Sequence, residues 1–306
     1  MSPKSVLITG CSDGGIGAGL ALSFQKHGWK VFATTRNISK MTSLANLPNV
    51  QLLALDVTSS LSIEAAVEAV KKETGGSLDC LCNNAGALMM MPVLDTDEEE
   101  ARKMFDVNLW GPLAMIKVFS PLIIKAKGTI ANTGSIAGYL NVPFGGAYAA
   151  SKSAVMILSE TLRLEMASFG VKVLTVVTGV VNSNLGSENT GFQLPSTSLY
   201  KGAEEAIRER ALGGGGAKMS TEEYCEKYVK AVERESRGQV WIGNSTTAVK
   251  WGKHLPPSVI VSSTRILDGF MRKPTDIAGF FGFSRNWTRP SLMLRFGTVD
   301  ARHNTY

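Results

Sequence analysis

The chain alternates short, nearly unbroken apolar runs with longer stretches in which apolar residues recur every three or four positions. The runs Val6–Ile8, Lys30–Thr35, Val50–Leu55, Leu78–Cys82, Gly128–Thr133, Val171–Val177 and Gln239–Gly243 read as strands. Unbroken runs without alternation point to strands buried on both faces. Between them, Ala18–Lys26, the series Ile63, Val67 and Val70, an acidic start at Asp95–Glu100 with a following segment that contains Asn108, and Ala147–Ser168 have helical spacing. Leu199–Leu212 and Thr221–Arg237 are two further helical patterns, parted by the glycines 213–216. Strand and helix in alternation predict an α/β fold: one doubly wound domain with about seven parallel strands and helices on both faces. The expected domain spans residues 1–243, with a substrate lid near 182–220, and residues 244–306 form a C-terminal extension.

Small and polar residues interrupt the apolar runs at the carboxyl ends of the strands, where an open parallel sheet has its crevice. The first strand runs into Thr9-Gly10-Cys11-Ser12-Asp13-Gly14-Gly15-Ile16-Gly17 ahead of a helix. That order cradles a phosphate, because glycine lets the backbone approach the anion and a helix N-terminus favours negative charge. A turn that merely tolerates glycine has the same composition. Arg36 follows the second strand with no acidic residue beside it, which suits a 2′-phosphorylated dinucleotide and equally describes a surface arginine. Asp56-Val57 closes the third strand, Asn83-Asn84-Ala85-Gly86 the fourth and Gly134-Ser135 the fifth. Asn108 places an amide within a helix, where it needs a bonding partner. Tyr148 and Lys152, four apart, share one helix face. An ammonium beside a phenol draws the phenol toward proton exchange at neutral pH; the same spacing also occurs on solvated helix faces.

Taken in order, these motifs resemble the short-chain dehydrogenase/reductase family, a single-domain Rossmann fold with a Tyr-x-x-x-Lys active site, over roughly the first 243 residues. The family's Thr-Gly-x-x-x-Gly-x-Gly appears as Thr9 to Gly17 with one extra residue, and its Asp-x-x-x-Asn-Asn-Ala-Gly as Asp79 to Gly86. The form Thr-Gly-Cys-Ser-x-Gly-Gly-Ile-Gly is similar to fungal reductases of the 1-acyldihydroxyacetone-phosphate reductase type. The resemblance implies NADP(H), held by Gly10, Ser12, Gly15, Ile16, Gly17, Arg36, Asp56, Val57, Asn84, Ala85, Gly86, Tyr148, Lys152, Val181 and Ser183. It also implies a tetrad of Asn108, Ser135, Tyr148 and Lys152. In that tetrad Tyr148 protonates the substrate oxygen, Ser135 holds that oxygen, Lys152 stabilises the phenolate and binds the ribose, and Asn108 holds a water. Two departures stand out. Thr178-Gly179 replaces the usual Pro-Gly after the sixth strand, ahead of Val181 and Ser183, and Asp13 occupies a place where NADP-using relatives often carry a basic residue.

The implied activity is an NADPH-dependent reductase acting on a carbonyl or imine of a bulky, largely apolar substrate, lipid-like or a secondary metabolite. A redox-neutral cyclase or isomerase reusing the site, and a non-catalytic dinucleotide sensor or scaffold, are competing readings; intact Ser135, Tyr148 and Lys152 speak against both. Leu88, Met89, Met90, Met91, Tyr139, Leu140, Phe144, Val180, Phe192 and Leu194 either wall the substrate pocket or pack in the core.

Composition narrows the partners. Three histidines leave little material for a metal site, and Cys11, Cys80, Cys82 and Cys225 follow neither zinc-ligand nor disulfide spacing, so no metal is expected. The net charge of +6 lies wholly in the tail, where residues 244–306 carry 9 basic and 3 acidic side chains, so no nucleic-acid groove is expected on the body. The start Met1-Ser2-Pro3-Lys4 lacks a secretory signal and no apolar run reads as a membrane span, so a cytoplasmic location is expected. The tail combines its charge with Trp251, Phe270, Phe280, Phe281, Phe283, Trp287 and Phe296. Such a segment docks within the protein or a homo-oligomer, dimer or tetramer, or touches a membrane or lipid droplet peripherally.

Overall fold

The seven apolar runs become β1 (Ser5–Thr9), β2 (Lys30–Thr35), β3 (Val50–Ala54), β4 (Cys80–Asn83), β5 (Thr129–Ser135), β6 (Lys172–Thr178) and β7 (Gly238–Ile242). As expected from the sequence they form one parallel sheet, and its order is β3-β2-β1-β4-β5-β6-β7. The order reverses between β1 and β4, and at that switch point the crevice opens at the carboxyl ends. This computed structural model describes residues 3–141, 143–186, 191–212 and 217–254.

The helices are α1 (Ile16–Lys26), α2 (Ser60–Thr74), α3 (Glu98–Phe105), α4 (Gly111–Ala126), α5 (Gly146–Glu165), α6 (Glu204–Ala211), α7 (Thr221–Glu233) and α8 (Thr246–Gly252). Both sheet faces are covered. Val6 and Ile8 join a core built with Phe24 of α1 and Tyr224 and Tyr228 of α7, whereas Leu7 joins a second core with Ile63 of α2 and Phe119 of α4. Each such side chain removed from water stabilises the fold by about 1.5–3 kcal/mol. All four cysteines are buried and free, and burial pushes the thiols of Cys11 and Cys225 up to about 12.

Local differences from the sequence pattern have identifiable causes. β5 and β6 run on to Ser135 and Thr178, which become register partners at the sheet's edge on the crevice. Helix α6 begins only at Glu204, because the Ser198 hydroxyl donates to Asp95 at 2.5 Å and accepts from Tyr200 N at 3.0 Å, holding the chain in a turn. Helix α7 stops at Glu233, since Glu235 takes φ 54° and Ser236 N turns back to Ala231 O at 3.1 Å. The expectation about apolar runs needs a correction. Residues Glu98–Ala126 form one helical run of 29 residues, with a π-helical segment Asp106–Trp110, long and apolar enough to cross a membrane. Half of its most apolar window is buried, with Met115, Ile116, Phe119, Leu122 and Ile123 in the second core.

Packing continues past Gly243: Asn244 bridges to Val180, and α8 buries Thr246 and Val249. Trp251 is exposed on α8, while Phe270, Phe280, Phe281, Phe283, Trp287, Phe296 and the glycines 213–216 lie outside the described residues.

Helix α1 is tied to α7 by His27, whose ring nitrogens lie 3.0 Å from Glu233 and 3.1 Å from Glu226. Burial alone lowers the imidazole pKa, but the hydrogen bonds and charges of Glu226 and Glu233 outweigh it and raise the group above 6.5. A raised group contributes fully below its unfolded value and loses that contribution as pH rises through its folded value. His27→Gln is therefore expected to lower the melting temperature by about 2–4 °C in mildly acid solution, with the difference fading as the pH climbs past 6.5. A deficit that stays constant into alkaline solution would show that the pairing does not depend on the imidazolium.

Candidate active site

The switch point is built by two strand ends locked together. Gly10 leaves β1 at φ 76°, and a Cβ there would lie 2.9 Å from Ala85 Cα, so only glycine admits the approach. At Gly17 a Cβ would run into the Gly10 carbonyl oxygen. Thr9 Oγ1 accepts from Asn84 N at 3.0 Å and from Ala85 N at 2.9 Å, and Asn84 Nδ2 donates back to Thr9 O at 2.9 Å. Helix α1 then starts at Ile16 behind Gly15, which supplies no side-chain cap. Its first amides face outward from a tight glycine turn, the arrangement that receives a diphosphate. Gly10, Gly15, Ile16, Gly17, Asn84, Ala85 and Gly86 thus lie at one switch point, and the residues present fit a dinucleotide.

Asp13, in the lengthened loop, is tied to the segment that follows β2. Its Oδ2 accepts from Thr42 N at 2.8 Å and its Oδ1 from Ser43 N at 3.0 Å, and both hydroxyls donate as well. Burial raises the carboxyl, yet these four bonds from Ser43 and Thr42 bring it down to about 2. Asn184 Nδ2 donates to Asp13 O at 3.1 Å from the opposite side. Ser12 Oγ lies 3.1 Å from Thr35 Oγ1, at the end of β2. Arg36 follows, exposed, and Asp56 is near enough to feel its charge; burial raises Asp56, but hydrogen bonds from Thr58 and the Arg36 charge hold it below its usual value. Val57 is buried against Gly111 at the start of α4.

A buried polar ladder fixes α5 on the sheet. Asn83 Nδ2 donates to Asn132 Oδ1 at 2.8 Å, Asn132 Nδ2 to Ser159 Oγ at 2.9 Å, and Ser159 Oγ to Val155 O at 2.7 Å. With the helix so placed, Tyr148 and Lys152 are both buried. Lys152 Nζ donates to Thr133 O at 3.1 Å and stands 6.0 Å from the Tyr148 ring centre. Burial brings Lys152 down to about 8. Burial also raises the Tyr148 phenol, with a hydrogen bond to Ser135 acting against the rise. The ammonium is aimed at a carbonyl rather than at the phenol oxygen, so burial decides and the phenol stays protonated at neutral pH.

Asn108 lies in the π-helical segment, 1 % exposed, and is fully bonded: its Oδ1 accepts from Ala87 N at 2.8 Å, while its Nδ2 donates to Ala87 O at 2.9 Å and Ser151 Oγ at 3.0 Å. Gly86 stands between Asn108 Oδ1 and Lys152 Nζ, 3.4 Å and 3.5 Å from where a Cβ would sit. Ser151 was not singled out in the sequence, yet its hydroxyl accepts from Asn108 and donates within α5 to Tyr148 O at 2.7 Å, so it joins α5 to the π-helical segment. Its signal was a serine on the buried face of α5, beside Tyr148 and Lys152. Val181 pairs with Met219 beyond β6, with the half-buried Ser183 two residues on. Tyr139 and Leu140 line a cleft of about 580 Å³ beside the start of α5, a cleft that Tyr148 does not line. Phe144 packs edge-on against Tyr200 with ring centres 6.0 Å apart.

A buried ammonium destabilises the fold that holds it. Below about pH 8 Lys152 is charged in both folded and unfolded states and the full cost of burial applies. Between 8 and 10.5 the unfolded chain binds more protons, so stability rises with pH. Lys152→Met is therefore expected to stabilise the cofactor-free protein at neutral pH by about 2 kcal/mol, roughly 3 from the shift less about 1 for the lost hydrogen bond. The gain should disappear toward pH 10.5, and thermal denaturation across that range checks it.

Comparison with known proteins bears on this geometry. Residues 4–193 match the family model described as short chain dehydrogenase. The chain is 45 % identical over 258 residues to the short-chain dehydrogenase ptmH of Penicillium ochrochloron, covering 84 % of this chain and 94 % of that one. It is 37 % identical over 279 residues to an NADPH-dependent 1-acyldihydroxyacetone phosphate reductase of Schizosaccharomyces pombe, covering 86 % and 94 %. Among solved structures, a short-chain dehydrogenase from Streptomyces avermitilis superposes with a TM-score of 0.72 at 26 % identity, covering 87 % of this chain and 96 % of that one. The closed form of serine dehydrogenase complexed with NADP+ superposes with a TM-score of 0.67 at 25 % identity, covering 79 % and 95 %. The switch-point glycines, the Asn-Asn-Ala-Gly turn and the buried Tyr148 and Lys152 therefore sit in an oxidoreductase that belongs to the short-chain dehydrogenase/reductase family.

Proposed function

We propose that this chain is an NADPH-dependent reductase for a carbonyl or imine of a bulky, largely apolar substrate, lipid-like or a secondary metabolite. The observation that carries it is the buried phenol of Tyr148, paired with Ser135 and flanked by Lys152 at the crevice, where burial raises it. A reductase needs its acid protonated before turnover, and burial keeps this one so. NADPH, when bound, supplies the hydride. Gly10, Gly15, Ile16, Gly17, Asn84, Ala85 and Gly86 are proposed to hold its diphosphate and adjoining sugar, and Ser12 and Arg36 its 2′-phosphate. Asp56 and Val57 are assigned to the adenine, and Val181 and Ser183 to the carboxamide.

In this reading Ser135 donates to the substrate oxygen and keeps it within reach of the phenol, and Tyr148 delivers the proton as negative charge grows there. Lys152, charged below about pH 8, stabilises the phenolate left behind. Asn108 acts by orientation: its bonds to Ala87 and Ser151 fix the wall beside Lys152. Met89, Met90 and Met91 suit an irregular apolar ligand. The relative from Schizosaccharomyces pombe is named for a lipid-type substrate, and the name supports that class. We also read the chain as a homo-oligomer; exposed Trp110, Ile157, Leu164 and Phe169 are consistent with self-association.

Two measurements test the reading. Arg36→Asp should cut the preference for NADPH over NADH on the order of 10- to 100-fold, as loss of a charge-assisted contact does; an unchanged preference would remove Arg36 from the site. Tyr148→Phe should lower kcat by about 10²–10⁴-fold while NADPH affinity stays close to wild type. Ordinary hydride transfer in that variant would mean another group is the acid.

A further inference from the structure

Two hydroxyls buried behind the candidate site have no part in the chemistry above. Thr178 ends β6 in register with Ser135, and its Oγ1 lies 2.7 Å from the Tyr224 hydroxyl of α7. Both side chains are buried, Tyr224 completely. Burial pushes the Tyr224 phenol far up, with the hydrogen bond to Thr178 acting against the rise, so Tyr224 stays neutral. A phenol that does not ionise at working pH is a strut rather than an acid or base.

Thr178 is the last strand residue before the chain leaves the sheet for Val181 and Ser183. On the β7 side that turn is held by main chain, with Gly179 N donating to Ile242 O at 2.8 Å and Val180 N to Asn244 O at 2.9 Å. On the α7 side it is held by the Thr178–Tyr224 pair, by the Thr221 hydroxyl donating to Asn182 O, and by Asn182 N donating to Met219 O at 2.9 Å. The same stretch presses on α1: a Cβ at Gly19 would lie 2.8 Å from Cys225 Sγ and 2.9 Å from Thr221 Cγ2. Residues 219–225 therefore touch both the helix that opens the glycine turn and the turn beyond β6.

We infer that Tyr224 is a positioning residue which, through Thr178, sets the turn 179–183 against Ser135 and thereby holds the nicotinamide end of NADPH rather than its adenosine end. This rests on the cofactor reading above. The Thr178 side chain, which lacks the ring that would fix φ in a proline, gains its rigidity from the second hydroxyl.

Calorimetric titration of two ligands tests it: NADPH, and 2′-phospho-ADP-ribose, which keeps the adenosine end and lacks nicotinamide. Tyr224→Phe and Thr178→Val should each weaken NADPH about tenfold, the ratio set by ~1.4 kcal/mol. The double variant should lose little more, and Thr178→Ser, which keeps the hydroxyl, should bind like wild type. The fragment should bind all of them alike. If Tyr224→Phe fails to fold because the Thr178 hydroxyl is orphaned, the double variant carries the test, since it removes both polar groups together. Equal loss of both ligands would make the pair merely structural and overturn the inference, as would unchanged NADPH binding. A wild-type chain that bound no NADPH would defeat the functional reading and this inference with it, an outcome distinct from variants that match a binding-competent wild type.

Discussion

Everything at the crevice depends on how closely the exits of β1 and β4 approach each other. Two neighbouring parallel strands normally leave a sheet with side chains between them. Here Gly10 removes that spacer and the Thr9 hydroxyl takes the two amides that would otherwise hold the ends apart in water. The glycine turn, the start of α1 and the Asn84–Gly86 turn inherit their positions from that one contact. A methyl group at Gly10 would have to displace backbone rather than a flexible side chain, so the site has little slack at its centre.

Around that centre the protein buries polar groups at some cost and satisfies most of them through side chains from distant parts of the chain. The amide ladder Asn83–Asn132–Ser159 joins two strands to α5, and Asn108 with Ser151 joins α5 to the π-helical segment. A π-helical turn is less stable than an α-helical one, and its presence beside a buried amide fits the tendency of such turns to cluster at functional sites. The buried Asn83 Oδ1 has no protein partner among the described residues, and the buried hydroxyls of Thr133 and Tyr228 have at most each other. Such a core is specified by geometry more than by apolar area, because each half-satisfied amide disfavours any other packing.

Strands and motif positions were legible in the sequence because an apolar run ending in Thr, Asn, Ser or Gly is unusual and both features are local. The seven strands and the placing of Gly10, Asn84 and Ser135 at strand ends followed from that, and the four-residue spacing put Tyr148 and Lys152 on one helix face. What escaped was set by partners far away in sequence. The late start of α6 depends on Asp95, about a hundred positions from Ser198, and the hydrogen bonding of Asp13 on Thr42 and Ser43. The ionisation of Tyr148 was read from its spacing to Lys152, whereas the structure gives the decision to burial, a quantity that no spacing contains. The apolar length of the 98–126 run was missed for a related reason: charges at its start and lysines along one side hide how continuous the helix is.

The four buried thiols have a bearing on what surrounds the protein as well as what holds it together. Burial raises the thiols of Cys11 and Cys225 to about 12, so both stay protonated at neutral pH, and neither side chain faces solvent freely. Carbonyl compounds conjugated to a double bond alkylate proteins through thiolates above all. With all four cysteines buried, this chain offers such electrophiles no exposed thiol.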